Sequence, residues 1–452
     1  MLPATRRALL QRTAVAQSEG RAPSLVAAVV RDGQPVWSGA RGSVDGQTPD
    51  GTTQYRIGSI TKTFTAVLVM RLRDEGLLDL GDPLEKHLSG TGADGVTIGQ
   101  LLAHTSGLAA ESPSPWWERT PGTLRPGLED VLGERPFRHP SGQRHHYSNP
   151  GYTLLGSLVE KLRGAPWAEV LGREVLEPLG LHRTSVQPQA PYAPGLAVHP
   201  WADVVLPEPV EDLGLMAPAG QLWSTTEDLG KFAVFLAQGN ERVLSAESVR
   251  EMRTPAALPE GGWESGYGLG VQLIRWDTRM LAGHTGSLPG FVACLLLSEK
   301  DGLAAVALAN CTSGPLIATL TGELVQIVAD AEPRIPETWR PAPEVDRAVL
   351  GLTGSWYWGT HAFGLRLVAD GGIELGPLSP GGRRSRFLAE AEDTWIGLDG
   401  YYAGETLRAV RRADGAVSHL DLGSFVFTRE PYEVGAPVPG GVDPEGWRGS
   451  RS

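Results

Sequence analysis

Ser59 and Lys62, in the stretch Ser59-Ile60-Thr61-Lys62, stand three residues apart at the head of an apolar run that reads as a helix through Met70. Residues i and i+3 share a helix face, so this spacing sets a hydroxyl beside an amine. A serine hydroxyl becomes a useful nucleophile when a neighbour takes its proton, and a partly desolvated lysine can do so. Gly58 permits a tight entry into the helix. The competing reading is that Ser59 merely caps the helix, since serine is a preferred N-cap and Ser-x-x-Lys is built from common residues.

Two later segments favour chemistry. Tyr147-Ser148-Asn149 precedes Pro150-Gly151-Tyr152 and an apolar run, and His284-Thr285-Gly286-Ser287 precedes the strand-like Phe291-Val292-Ala293-Cys294-Leu295-Leu296-Leu297. The order Ser-x-x-Lys, Tyr-x-Asn and a Lys-Thr-Gly-like element resembles the serine β-lactamases and penicillin-binding proteins. It is most similar to their class C β-lactamase, D-aminopeptidase and esterase branch, where the third element can carry His in place of Lys. Leu101-Leu102-Ala103-His104-Thr105-Ser106-Gly107-Leu108, the stretch Ala219 to Thr225, and Gly266-Tyr267-Gly268-Leu269-Gly270 also resemble that branch.

The resemblance implies roles. Ser59 is the nucleophile that becomes acylated, Lys62 shares or relays its proton, and Tyr147 is general base towards Ser59 and then general acid for the leaving group. Asn149 positions the lysine and the substrate amide, with His284, Thr285 and Gly286 beside the substrate. The backbone N–H groups of Ser59 and Ser287 form the oxyanion hole. A phenol with a pKa of about 10 needs a nearby cation to act as a base at neutral pH, so whether Lys62 or Tyr147 takes the proton stays open. A histidine at position 284 is largely neutral at neutral pH, unlike the lysine of β-lactamases, which disfavours recognition of a substrate carboxylate. His145 and His146 point in different directions and lack a third ligand at metal spacing, and His104 reads as a capping or packing residue. Neither a metal nor another cofactor is expected.

The elements that must hold these groups can be read from pattern. Ser24 to Val30, Asp32-Gly33 and Gln34 to Gly39 read as a β-hairpin, because Asp-Gly suits a tight turn with positive φ. Helical segments follow at Val96 to Ala103, Tyr152 to Leu162 and Trp167 to Val175, and strands return at Tyr267 to Ile274 and Phe291 to Ala309. Strands at both ends with helices between predict an α+β fold: an antiparallel sheet flanked by helices, with a helical subdomain, as in the β-lactamase/transpeptidase-like fold. The stretch Glu111 to Gly122 reads as a loop whose Trp116 and Trp117 either rim the site or pack against it.

Residues 1–335 are expected to form this hydrolase domain, and proline-dense 336–346 a linker. Short alternating runs over 347–435 predict a small all-β, lipocalin-like antiparallel barrel, and the Gly/Pro-rich 436–452 a frayed tail.

A chain of 452 residues is long enough for two cores. Its 52 acidic and 40 basic residues give a net charge of -12 with no basic stripe, which excludes nucleic acid and anionic membrane as expected partners. No run reaches transmembrane length, and the first dozen residues lack the apolar core of a secretory signal. Cys294 and Cys311 fall out of register about the turn that joins their strands, so no disulfide is expected and the thiols fit a cytoplasmic protein. The reading is a serine hydrolase forming an acyl-enzyme on a small-molecule or peptide ester or amide. The alternatives are a D-residue-specific peptidase or a peptide-cyclising acyltransferase of the penicillin-binding-protein-type thioesterase kind, then a β-lactamase or a non-catalytic binding protein. The oligomeric state is left open.

Overall fold

The computed structural model describes residues 1–452 except 114, 121–126, 259–263, 337, 343, 370, 433, 434, 436 and 439–452. Most of the expected frayed tail, with parts of the 111–122 loop and of the linker, therefore lies outside the described residues. The chain divides into two units, 1–334 and 335–452.

In the first unit, β1 (Ser24–Arg31) and β2 (Gln34–Gly42) form the expected hairpin. Asp32 and Gly33 at its turn both have positive φ, 48° and 79°, as a tight hairpin turn requires. The remaining strands come from the far end of the unit: β3 (Ser265–Tyr267), β4 (Gln272–Trp276), β5 (Arg279–Leu288), β6 (Phe291–Ser298) and β7 (Leu303–Ala309). They complete a seven-stranded sheet in the order β2-β1-β7-β6-β5-β4-β3. Neighbours are antiparallel throughout, and the two ends of the unit meet where Leu25 faces Ala309 and Ala27 faces Ala307.

β1, β6 and β7 are apolar along nearly their whole length because the sheet is covered on both sides. The longer helices are α1 (Pro3–Glu19), α2 (Thr61–Asp74), α3 (Asn149–Arg163), α4 (Thr226–Gln238) and α5 (Ile317–Ala331). On one face Leu25, Ala27, Val29 and Leu296 pack with Leu9 of α1 and Leu320, Leu324 and Val328 of α5. On the other, Val26, Leu295, Val306 and Leu308 join a larger core with Phe64 of α2, Leu155 of α3 and Phe232 of α4. Each fully buried Val, Leu or Phe among them stabilises the fold by roughly 1.5–3 kcal/mol relative to exposure.

One detail differs from the pattern reading. The continuous strand expected over Tyr267 to Ile274 is interrupted: Gly268 N–H donates to the Val271 carbonyl (2.8 Å), and Gly270, with φ of 76°, offers its carbonyl to Thr63 Oγ1 (2.8 Å). The break brings this chain onto α2. Cys294 pairs across the ladder with Ala307, which leaves Cys311 beyond it; both cysteines are free, and burial pushes each thiol up to about 12.

The second unit is a meander of β8 (Gly354–Trp358), β9 (His361–Leu367), β10 (Ile373–Pro377), β11 (Ser385–Ala391), β12 (Thr394–Gly397), β13 (Thr406–Arg411), β14 (Val417–Leu422) and β15 (Phe425–Phe427), each paired with the next. Tyr357 and Thr428 exchange both backbone hydrogen bonds, at 2.8 and 2.9 Å, and so join the first strand to the residue after the last. The nearly closed barrel is filled by Trp356, Phe387, Trp395, Leu420 and Phe427.

Candidate active site

Ser59 sits on a 3₁₀ turn, Gly58–Ile60, that feeds directly into α2. The capping reading fails here, since Ile60 occupies the N-cap position and no side chain caps the helix. Instead Lys62 Nζ lies 3.0 Å from Ser59 Oγ and donates to the Ala219 carbonyl at 2.7 Å. Helix α2 runs through the core, so Lys62 is fully buried while Ser59 remains partly exposed. Loss of water lowers the Lys62 pKa to about 7, against the opposing pull of the Glu111 and Glu118 carboxylates.

Tyr147 is half-buried, with Lys62 Nζ 4.9 Å from the centre of its ring. Burial pushes the phenol above its ordinary value, opposed by a hydrogen bond with Ser59. The residue is held in place by its neighbours. Ser148 caps α3, accepting from Gly151 N–H (3.1 Å), and its hydroxyl donates to the Ala109 carbonyl (2.7 Å). Its backbone N–H donates to His104 Nδ1 at 3.1 Å, and the His104 ring lies 4.2 Å from that of Tyr147. His104 is thus a packing residue, fully buried and held neutral by that burial.

Asn149 donates from Nδ2 to Glu111 Oε1 (2.8 Å), and its Oδ1 is buried without a partner among the described residues. That amide therefore engages Glu111, where the family resemblance would set it on Lys62.

His284 lies in β5, fully buried, its Nε2 2.9 Å from the Tyr267 hydroxyl and its Nδ1 2.5 Å from the Thr285 carbonyl. Burial lowers its pKa to about 3, so the ring is neutral. Thr285 gives its N–H and hydroxyl to Gln272 Oε1 (3.0 and 3.1 Å), tying β5 to β4. At Gly286 a Cβ would fall 1.9 Å from the Ile57 carbonyl oxygen and 3.1 Å from the Ser59 nitrogen, and at Gly58 2.7 Å from the Ser287 nitrogen. Glycine at both positions lets the backbones touch, which sets the Ser59 and Ser287 nitrogens close together.

Sequence reasoning missed Glu111, Glu118 and Tyr267 as parts of this site. The two glutamates are held by the paired tryptophans: Trp117 Nε1 donates to Glu111 Oε2 (2.8 Å) and Trp116 Nε1 to Glu118 Oε2 (2.9 Å). Burial raises the Glu118 pKa. Adjacency to the Leu101 to Leu108 segment was the available signal for Glu111, and membership of the Gly266 to Gly270 segment that for Tyr267. Among the described residues no cluster of His, Cys, Asp or Glu could hold a metal ion. Nor is any described helix long and apolar enough to cross a membrane.

A buried amine beside a partly exposed serine, next to a tyrosine and two adjoining backbone nitrogens, is an arrangement chemically able to support acyl transfer through a serine. Residues 8–329 match the family described as Beta-lactamase, and the chain belongs to that family, whose members are generally serine hydrolases. Residues 345–429 match a domain of unknown function, DUF7586. The chain is 30% identical over 329 residues to penicillin-binding protein 4 of Amycolatopsis lactamdurans, covering 66% of this chain and 84% of that protein. Among solved structures it resembles a D-stereospecific amidohydrolase from Streptomyces sp., with TM-score 0.61 and 27% identity over 73% of this chain and 99% of that one. It also shares its fold with the octameric penicillin-binding protein homologue from Pyrococcus abyssi, with TM-score 0.65 and 22% identity over 93% of this chain and 99% of that one.

Proposed function

We propose that this chain hydrolyses esters or amides through an acyl-enzyme on Ser59, and that it prefers acyl groups carrying a cationic amine. The observation that carries the reading is the environment of Lys62, whose pKa of about 7 leaves much of the amine unprotonated at neutral pH, 3.0 Å from Ser59 Oγ. Lys62 then takes the serine proton as Oγ attacks the carbonyl carbon. The backbone N–H groups of Ser59 and Ser287 receive the oxyanion. Tyr147, kept as a neutral phenol by burial, donates its proton to the departing oxygen or nitrogen and is reprotonated from the Lys62 ammonium. Water repeats the sequence on the acyl-enzyme, releasing the acid and restoring the serine. Lysine as base and tyrosine as acid is the division that the opposite directions of their pKa shifts support.

Glu111 and Glu118 give this region negative charge, and His284 supplies no compensating cation. A β-lactam carboxylate is repelled there, whereas a substrate ammonium is attracted. The likeness to a D-stereospecific amidohydrolase makes D-aminoacyl amides the first substrates to try. The test is intact-mass measurement after a fluorophosphonate, followed by turnover of D- and L-aminoacyl amides, their N-acetylated forms, a neutral ester and a chromogenic cephalosporin. An adduct on Ser59 with faster turnover of the free-amine substrates is expected. An adduct elsewhere overturns the nucleophile, and equal turnover of N-acetylated substrates overturns the amine preference.

A further inference from the structure

In the barrel, the turn between β8 and β9, the loop between β10 and β11, the 3₁₀ turn Gly400–Tyr402 and the start of β15 gather at one end, as alternate connections of a meander must. They enclose a cavity of about 750 Å³, within the range of small-molecule sites. Its walls include Trp358, His361, Phe363, Tyr402 and Phe425, with Arg383 beside them. The rings support one another: Trp358 meets Phe425 edge-on at 5.4 Å, and Phe425 lies 6.0 Å from Tyr402.

Arg383 is the feature that gives the cavity a chemical preference. Its guanidinium stacks 3.7 Å from the centre of the Tyr401 ring and 5.5 Å from that of Phe425. Its neighbours are committed to carboxylates, Arg384 to Glu374 and Arg386 to Asp399. Among the described residues Arg383 has no ion pair or hydrogen bond, and no Asp or Glu lines the cavity. A guanidinium oriented by aromatic stacking, with its N–H donors unclaimed among the described residues, is suited to a bidentate anion. The adjoining aromatic walls suit an apolar body.

We propose that this end of the barrel binds a small organic anion: an aromatic or aliphatic body inserted among Trp358, Phe363 and Phe425, with its carboxylate or sulfonate on Arg383. Binding there is proposed without any turnover at Ser59.

The test uses the full chain and two fluorescent probes with the same rings, anilinonaphthalene sulfonate and the uncharged phenylnaphthylamine. The sulfonate is expected to bind at one equivalent per chain and at least about tenfold more tightly than the neutral probe. Arg383→Gln should remove that difference and leave the neutral probe unchanged. Trp358→Ala should weaken both; Trp358 and Arg383 are both exposed, and unchanged thermal unfolding of each variant verifies the fold. Equal wild-type affinities, or a sulfonate affinity that Arg383→Gln does not alter, overturn the proposal. Naphthoate displacing the sulfonate probe supports the carboxylate form of the ligand, and failure to displace overturns it.

Discussion

Gly286 lies so close to Ile57 that a Cβ placed on it would stand 1.9 Å from the Ile57 carbonyl oxygen, closer than any real contact. The strand bearing the third motif and the turn bearing the nucleophile therefore meet backbone to backbone. Gly286→Ala must push them apart, and with them the Ser59 and Ser287 nitrogens. A loss of roughly a hundredfold or more in kcat is expected, the cost of a damaged oxyanion hole, together with a lower Tm. Steady-state kinetics on a neutral ester, read beside calorimetry, checks this; full activity in the variant would remove Ser287 from the proposed machinery.

Ser59→Ala should abolish turnover and covalent labelling while the fold persists, since it removes only one partly exposed hydroxyl. Lys62→Ala and Tyr147→Phe should each lose several orders of magnitude. Because the two groups pass one proton between them, the double variant should lose far less than the sum. Strictly additive losses in kcat/KM would mean that they act separately.

The pH dependence separates the two candidate bases. With Lys62 at about 7 and required unprotonated, kcat/KM for a neutral ester should rise with pH and level off above roughly pH 8. Tyr147, shifted upwards, should impose no falling limb below pH ~10. For a free-amine substrate a falling limb should appear at the substrate's own amine pKa. A rising limb located near the phenol's range would identify Tyr147 as the base.

Much of this site was legible because its parts are local. Ser-x-x-Lys works within one helical turn, Asp32-Gly33 makes its hairpin by its own backbone preferences, and Ser148 caps the helix it precedes. What escaped reading depends on contacts distant in sequence. Nothing in an aperiodic loop says that Glu111 will meet Asn149, or that Trp116 and Trp117 will hold two carboxylates near Lys62. The interruption at Gly268 to Val271 follows from docking on α2. The barrel was legible from alternation, whereas the anion-ready Arg383 follows from a stacking partner that alternation does not reveal.

Glu111→Gln tests both the substrate preference and the tuning of the lysine. Its carboxylate is the larger of the two charges opposing the fall in the Lys62 pKa, so its removal should move the rising limb of the pH profile to lower pH. It should also reduce kcat/KM for free-amine substrates by about three- to tenfold relative to a neutral ester, the scale of a partly solvated ion pair. The amide retains the shape of the side chain, though its pairing with Trp117 and Asn149 must adjust. An unmoved limb would show that Glu111 exerts no field at Lys62.

His284 makes acid stability a measure of burial at the third motif. In the unfolded chain a histidine titrates near about 6.5, whereas in the fold burial keeps His284 neutral down to about 3. Below its unfolded pKa the unfolded state binds a proton that the native state refuses, so stability falls as pH falls. Between pH 6.5 and 5 this one group should cost roughly 2 kcal/mol, and buried His104, also shifted downwards, adds in the same direction. Replacing His284 with Gln keeps a polar partner for the Tyr267 hydroxyl and removes the titration. Urea unfolding at pH 7.5 and pH 5 should therefore show a smaller acid loss in His284→Gln than in the wild type, by about that amount. An identical loss in the two proteins would mean that His284 takes up its proton in the fold, and a cationic third motif would then make carboxylate-bearing substrates admissible.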